Sequence, residues 1–343
     1  MENTTSRILI EVMIRKAIWD IKDSPKRGTR NIIDMALNFS DGRFQKYFFQ
    51  SAQNMLKNEQ SSYYMLVLDA VNHINEEQLI GFGMNLGYNG CVAGAKKIRE
   101  IEEHEGYNIP WTVALMIDAQ RYSSHEAEYQ SLLEQGKKLG IYAWQIYVNG
   151  NADIIFPLIE ENRDCAFTVL CEPETVTDEF LEDIRSVNHV MPVIRFNEKA
   201  VHVCQQMRDR QILYSVFMTY TEEDIEDILS GEYFLAAEEV HPVFSMLIAS
   251  GNCPLSVREK IYKMVSDIRQ KQTLKTIPWE ITYDASFVDG VISSEPCSVL
   301  FDAEGYLHNW CSRESATEYN FFQSNLVSVL KQTQPKMKKK KEL

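Results

Sequence analysis

Through residues 1–75 the apolar positions recur at three- and four-residue spacing. Ile8, Leu9, Val12, Met13 and Ile18 outline one helix, and the turn chemistry of Ser24, Pro25 and Gly28 predicts where it stops. A second helix is predicted from about Asn31 to Asn38. A third opens after Ser40, Asp41 and Gly42, and its Phe44, Tyr47, Phe48, Ala52 and Met55 gather on one face as an aromatic stripe. Docking of that stripe on the main body is the expectation; a dimer or partner surface over residues 31–58 is the alternative.

From residue 79 the texture changes to short apolar runs separated by polar helical stretches. The runs are Leu79 to Met84, Trp111 to Asp118, Ile141 to Val148, Cys165 to Cys171, Val190 to Phe196 and Ile212 to Tyr220. Helix-like segments lie near 92–105, 124–138, 152–162, 174–186 and 198–209, with Thr177, Asp178 and Glu182 giving one the acidic start a helix favours. Runs such as Thr112-Val-Ala-Leu-Met-Ile117 are apolar on both faces, as in a parallel sheet covered by helices. The alternation predicts an α/β fold: a partial β/α barrel of six units with a helical N-terminal extension.

Beyond residue 230 the pattern weakens. Val240 to Ile248 reads as one more strand and Leu255 to Gln270 as a helix. Trp279 to Tyr283, Val299 to Phe301 and Gly305 to His308 read as short strands, with Asp302-Ala-Glu-Gly305 as a hairpin turn. A last helix is expected from Thr317 to Lys331. The organisation expected is therefore a helical extension over 1–76, a barrel over 77–250, a C-terminal hairpin region over 251–332 and a lysine-rich tail over 333–343.

The formal charge of −14 conceals a more acidic body of −18, because Lys336 to Leu343 holds five Lys against one Glu. An acidic body argues against duplex nucleic acid, whose phosphates need basic surface. No apolar run reaches the length of a membrane span and no signal peptide is visible. Seven scattered cysteines without an export signal suit reduced thiols, so a cytoplasmic location is expected.

Chemistry is expected where strands end, since ligands of β/α folds gather at the C-terminal edge. Gly81-Phe-Gly83-Met-Asn-Leu-Gly87-Tyr-Asn-Gly90-Cys91-Val-Ala-Gly94-Ala95 reads as a glycine-rich passage from strand to helix. Its glycines allow backbone to approach a ligand, and they serve a plain structural turn equally well. Cys91 is either a small buried residue or a thiol activated by a helix N-terminus. Asp118 and Glu172, at strand ends, are ligand contacts or helix caps. The carboxylates and imidazole of Glu238-Glu-Val-His241 would matter only if they faced the barrel mouth. His104, His125 and His202 lie in polar helical contexts and are expected to be exposed. No Ser-His-Asp order, phosphate-loop lysine or paired-cysteine zinc motif is present.

This passage resembles the radical S-adenosylmethionine proteins that carry a SPASM-type extension. The family's loop after its first strand holds Cys-x3-Cys-x2-Cys for a 4Fe-4S cluster; the matching positions here are Gly87, Cys91 and Gly94. The family's Gly-Gly-Glu-Pro stretch is replaced by Met116-Ile-Asp118-Ala119, while Asn149-Gly150 matches the Asn-Gly that ends its third strand. Cys297-Ser-Val-Leu-Phe-Asp-Ala-Glu-Gly305-Tyr-Leu-His-Asn-Trp-Cys311 is similar to the opening of a SPASM region. The resemblance implies cofactor contacts at Gly83, Gly87, Gly94, Asn149 and Gly150, chemistry at Cys91 and Asp118, and residual metal binding at Cys297 and Cys311.

One thiolate cannot assemble a three-cysteine cluster site, and two cannot hold an auxiliary cluster. The expectation is a degenerate relative without a bound cofactor, acting by binding a peptide, a protein or a small metabolite at the barrel mouth. The alternative is an enzyme that keeps a 4Fe-4S cluster and S-adenosylmethionine through unusual ligands, or one running another reaction through Asp118. Oligomerisation through the N-terminal helices is a further expectation.

Overall fold

The computed structural model describes residues 2–38, 42–251, 253–309 and 315–336. Strands β1 (Thr112–Asp118), β2 (Ala143–Asn149), β3 (Ala166–Cys171), β4 (Val190–Arg195), β5 (Ser215–Tyr220), β6 (Phe244–Ala249), β7 (Ile277–Glu280), β8 (Val299–Phe301), β9 (Tyr306–Asn309) and β10 (Ser315–Asn320) form one sheet. Its order is β10-β9-β8-β1-β2-β3-β4-β5-β6-β7. From β8 to β7 every pair is parallel, and only β8–β9 and β9–β10 are antiparallel. The mixed α/β class follows, with eight parallel strands where the sequence predicts six units. The hairpin expected at Asp302–Gly305 joins β8 to β9: Gly305 takes φ 85°, and the Asp302 carboxylate accepts from the backbone N–H of Glu304 and Tyr306.

Between the strands run α7 (Ala119–Tyr122), α8 (Glu126–Leu139), α9 (Phe156–Glu161), α10 (Asp178–Ser186), α11 (Glu198–Asp209), α12 (Ile225–Ser230), α13 (Glu232–Glu238), α14 (Leu255–Lys271) and α15 (Ile281–Ser293); α16 (Leu326–Thr333) follows β10. Thr177 caps α10 on Phe180 and Asn197 caps α11 on Lys199 and Ala200, so the first turns of these helices are closed by side chains. One face of the sheet packs on these helices through Leu115, Trp144, Ile146, Phe167, Val169, Ile194 and Val216, all essentially buried. The opposite face carries Leu170, Val193, Phe217 and Met246. Alternation along each strand separates the two sets.

Strands β7 and β8 do not pair, and α15 joins the C-terminal end of one to the N-terminal end of the other. The free edge of β7 is closed by side chains instead. Ile277 donates inward to Val243, whereas the outward groups are taken by a buried ion pair: Arg269 donates to the Pro278 carbonyl at 3.3 Å, and Asp284 accepts from the Glu280 N–H at 3.0 Å. Arg269 and Asp284 bind each other through two N–H···O contacts of 3.0 and 2.9 Å. A bare strand edge would invite pairing with another chain, and this pair occupies it.

Ahead of the sheet lie α1 (Glu2–Asp23), α2 (Pro25–Asn38), α3 (Arg43–Met55), α4 (Tyr63–His73) and α5 (Glu76–Gly83). A π-helical run, Met84–Gly94, and α6 (Ala95–Glu105) follow. Two expectations are corrected here. Pro25 starts α2, as a first-turn proline can, and Gly28 lies inside it, where a Cβ would meet the Ile21 nitrogen of α1 at 2.5 Å. Leu79–Met84 is helix: Asn75 accepts from the N–H groups of Glu77 and Gln78, with Glu76 and Glu77 in the first turn, which is a strong helix start. A third correction falls at the other end, where β10 occupies the start of the helix expected over 317–331, and α16 begins only at Leu326.

Candidate functional site

Four adjacent strands bring polar side chains to their C-terminal ends on the inner face of the sheet. Tyr147 of β2 donates its hydroxyl to Glu172 Oε1 at 2.9 Å, just beyond β3. Arg195, the last residue of β4, donates from Nε to both oxygens of Glu172 at 2.7 and 2.8 Å, and from Nη1 to the Thr219 hydroxyl of β5 at 2.6 Å. The guanidinium lies over the Phe217 ring, 4.8 Å from its centre. Parallel pairing sets these residues side by side, because positions that alternate along each strand share a face with their register partners.

The constellation is half-buried, with Glu172 and Arg195 side chains 29% and 27% exposed. Burial opposes charge on Arg195, but Glu172 and Tyr147 outweigh it and raise its pKa; burial, reinforced by Glu172, also raises that of Tyr147. A fixed cation, a carboxylate and two hydroxyls therefore face solvent at one edge. Met116 on β1 is 37% exposed on the same face, which leaves apolar surface beside the polar chain. Such a mixture can hydrogen-bond amide and carboxylate groups while covering an apolar side chain.

Asp118, Asn149 and Gly150 share this edge. Asp118 and Asn149 are register partners in β1 and β2, and Asp118 caps α7 by accepting from the Gln120 N–H at 2.8 Å. Gly150 takes φ 114°, and a Cβ there would meet that of Ala119 at 2.8 Å. Gly83, Gly87, Cys91 and Gly94 lie at the other edge. Their segment precedes the first strand, and its side chains bind residues that lead into strands: Asn85 donates to the Arg163 and Cys165 carbonyls, Asn89 to that of Asp164. A Cβ at Gly94 would meet the Gly140 carbonyl at 2.3 Å. In helix α5 just before it, Gln78 binds Val190 and Leu213. The two groups of residues are thus held at opposite ends of strands about 20 Å long.

Cys91 packs against the helix-covered core, and burial pushes its thiol up to about 12. A thiol so held is protonated at neutral pH, which lowers its reactivity as a nucleophile. Cys297 is buried at the entry to β8, and Cys311 lies outside the described residues. Glu238 ends α13 and His241 lies in the turn entering β6, away from the polar edge; Glu238 accepts from the Lys275 N–H. His104 and His202 are exposed, while His125 is half-buried and stacks on Phe322 at 4.1 Å. Among the described residues no group of three His, Cys, Asp or Glu side chains is placed to hold a metal ion. The donors around Cys91, with one apolar-packed thiol and no second cysteine in the segment, do not fit a three-thiolate cluster.

Arg195, Tyr147 and Thr219 escape the sequence reading. Each sits in an apolar run as an alternate position, and only the strand register joins them to Glu172. The signal that was available is Arg195 itself, a charge closing the run Val190–Phe196 just where a parallel strand ends.

Fold and edge define an α/β protein with a parallel sheet whose C-terminal rim presents a polar, partly open surface. No helix among the described residues is long and apolar enough to cross a membrane. No protein-family model and no curated protein matches the chain by sequence. Among solved structures it is similar to Streptococcus suis SuiB bound to the precursor peptide SuiA, at 10% identity over 68% of this chain and 67% of that one, with a TM-score of 0.48. It is also similar to SuiB bound to S-adenosylmethionine, at 11% identity over 88% and 80%, with a TM-score of 0.49. Shared chemistry does not follow from likeness at this level.

Proposed function

We propose that this chain is a binding protein on a radical-S-adenosylmethionine-like frame, and that it takes a peptide at the C-terminal rim of β1 to β5. The observation that carries this reading is the continuous chain Tyr147–Glu172–Arg195–Thr219. Extended peptide backbone offers amide N–H to Glu172 and carbonyl oxygen to Arg195, with a side chain lying over Met116. Asp118 acts here as a helix cap and Asn149 as a rim contact. The glycine segment from Gly83 to Gly94 acts as a brace at the far edge, and the mismatch at Cys91 supports binding without a cluster.

Selection of a random displayed peptide library on the full-length protein, followed by calorimetry, tests the site. Peptides that bind the wild type are expected to lose at least about tenfold in affinity on Arg195→Gln and on Glu172→Gln. Binders indifferent to both substitutions would remove the peptide from this rim. Anaerobic reconstitution with iron and sulfide, beside Cys91→Ala, tests the enzymatic alternative: near-stoichiometric iron that Cys91→Ala abolishes would restore a cluster protein.

A further inference from the structure

Helix α1 is amphipathic in two directions. Its inner face, Ala17, Ile18 and Ile21, is buried, and Ile18 and Ile21 pack with Val71, Ile80 and Met84. On the opposite side Ile8, Val12 and Trp19 are 58%, 58% and 70% exposed. At about 100° per residue these three fall within about 40° of one another, and the body of the protein lies behind them. Isolated exposed aliphatics are ordinary, but three on one line ending in a largely exposed tryptophan form a seam.

Its spacing is that of a heptad, with Ile8 and Arg15 at d and Val12 and Trp19 at a. Arg15 is turned off the seam onto Glu77 at 2.6 Å and Glu11 at 2.9 Å. Glu11 and Lys16 flank the seam about 70° to either side, as g and e positions. In two parallel copies, Glu11 of one helix stands beside Lys16 of the other, twice by symmetry. The helix also carries four acidic and four basic residues in a chain of charge −14. Two such acidic bodies repel over most of their surface, and this neutral face is where a second copy meets least repulsion.

We propose that α1 is a self-association surface, its occupant the α1 of a second copy in parallel, with Val12 and Trp19 in the seam and Glu11–Lys16 pairs along both sides. Sedimentation equilibrium of the full chain tests it, with circular dichroism confirming that each variant folds. The wild type is expected to dimerise. Trp19→Asp, and independently Ile8→Gln with Val12→Gln, are expected to weaken the dimer at least about 100-fold. Lys16→Glu is expected to weaken it less, and Glu11→Lys with Lys16→Glu to restore it. A monomeric wild type at about 100 µM, roughly the concentration at which even weak specific dimers are populated, overturns the proposal. So does a dimer that survives both seam variants, or a charge-exchanged variant no tighter than Lys16→Glu alone.

Discussion

The ion pair at the edge of β7 makes a quantitative prediction. Asp284 is 6% exposed and Arg269 19%. Replacing Asp284 by Ala removes both carboxylate contacts to the guanidinium and the acceptor for the Glu280 N–H. Arg269 is then left as a largely buried charge beside the Pro278 carbonyl, the Tyr262 hydroxyl and the Trp279 ring, 5.4 Å away, with no carboxylate to balance it. Breaking one side of a buried pair costs about 3 kcal/mol. An unfolding entropy of about 2.1 cal/mol/K per residue gives about 0.7 kcal/mol/K for 343 residues, so the melting temperature should fall by about 4 °C.

The pair should also behave as a unit. Arg269→Met alone leaves a buried carboxylate, whereas Arg269→Met with Asp284→Leu leaves neither charge and exposes only two backbone groups. The double variant is therefore expected to cost less than the sum of the singles by at least about 1 kcal/mol. Amide exchange at Glu280 supplies a local readout, because its N–H loses its acceptor in every Asp284 variant except Asp284→Asn, which retains an amide oxygen. Additive single effects, or a loss below about 1 kcal/mol for Asp284→Ala, would refute the edge-closing argument.

Glu280 and Asp289 are fully buried, and burial pushes both carboxyls up to about 7. The folded state therefore holds these protons more tightly than the unfolded chain, and their contribution to stability is lost as pH rises from about 4.5 through about 7; thermal scans should show the fall, and Glu280→Gln should flatten it. Gly83→Ala and Gly87→Ala meet nothing within 4 Å and should be neutral or stabilise by up to about 1 kcal/mol, whereas Gly94→Ala meets the Gly140 carbonyl and should destabilise by at least about 2 kcal/mol. Denaturant titrations check that contrast, and loss of peptide binding in the first two variants without loss of stability would make the segment a ligand loop. Cys91 should resist iodoacetamide at pH 8 in the native protein and react after unfolding, as mass spectrometry of the modified peptide would show.

Strands that are apolar on both faces are legible because the residues themselves say so: Val113 to Ile117 and Phe167 to Cys171 are apolar on both sides but for Thr168, and only Met116, at the open rim, is exposed. The stretch around Leu79 fails for the converse reason. Leu79, Ile80, Phe82 and Met84 alternate with glycines as a strand would, and the opposing evidence, Asn75 followed by Glu76 and Glu77, lies outside the apolar run. The hairpin at Asp302–Gly305 is legible because turn chemistry is local. The rim site is not, because its members lie 23 to 25 residues apart in sequence and meet only through sheet register. The residues that carry the family resemblance fall on both edges of the sheet, Cys91 and its glycines on one and Asp118, Asn149 and Gly150 on the other.

Those two edges differ in what their polar side chains hold. At the N-terminal edge, side chains such as Gln78, Asn85 and Asn89 bind backbone that enters the strands, and Phe82 closes the inner face among Ala166, Met191 and Leu213. Substitution there should register as stability. At the C-terminal rim, Arg195 and Glu172 are held by each other, by Thr219 and by Tyr147, so the proposed peptide would meet them as a preorganised set. Substitution there should register as affinity, with little change in the melting temperature, because each side chain is more than a quarter exposed. The separation can be read in one experiment: Arg195→Gln and Gln78→Ala, measured side by side for binding and for unfolding, should fail in opposite assays.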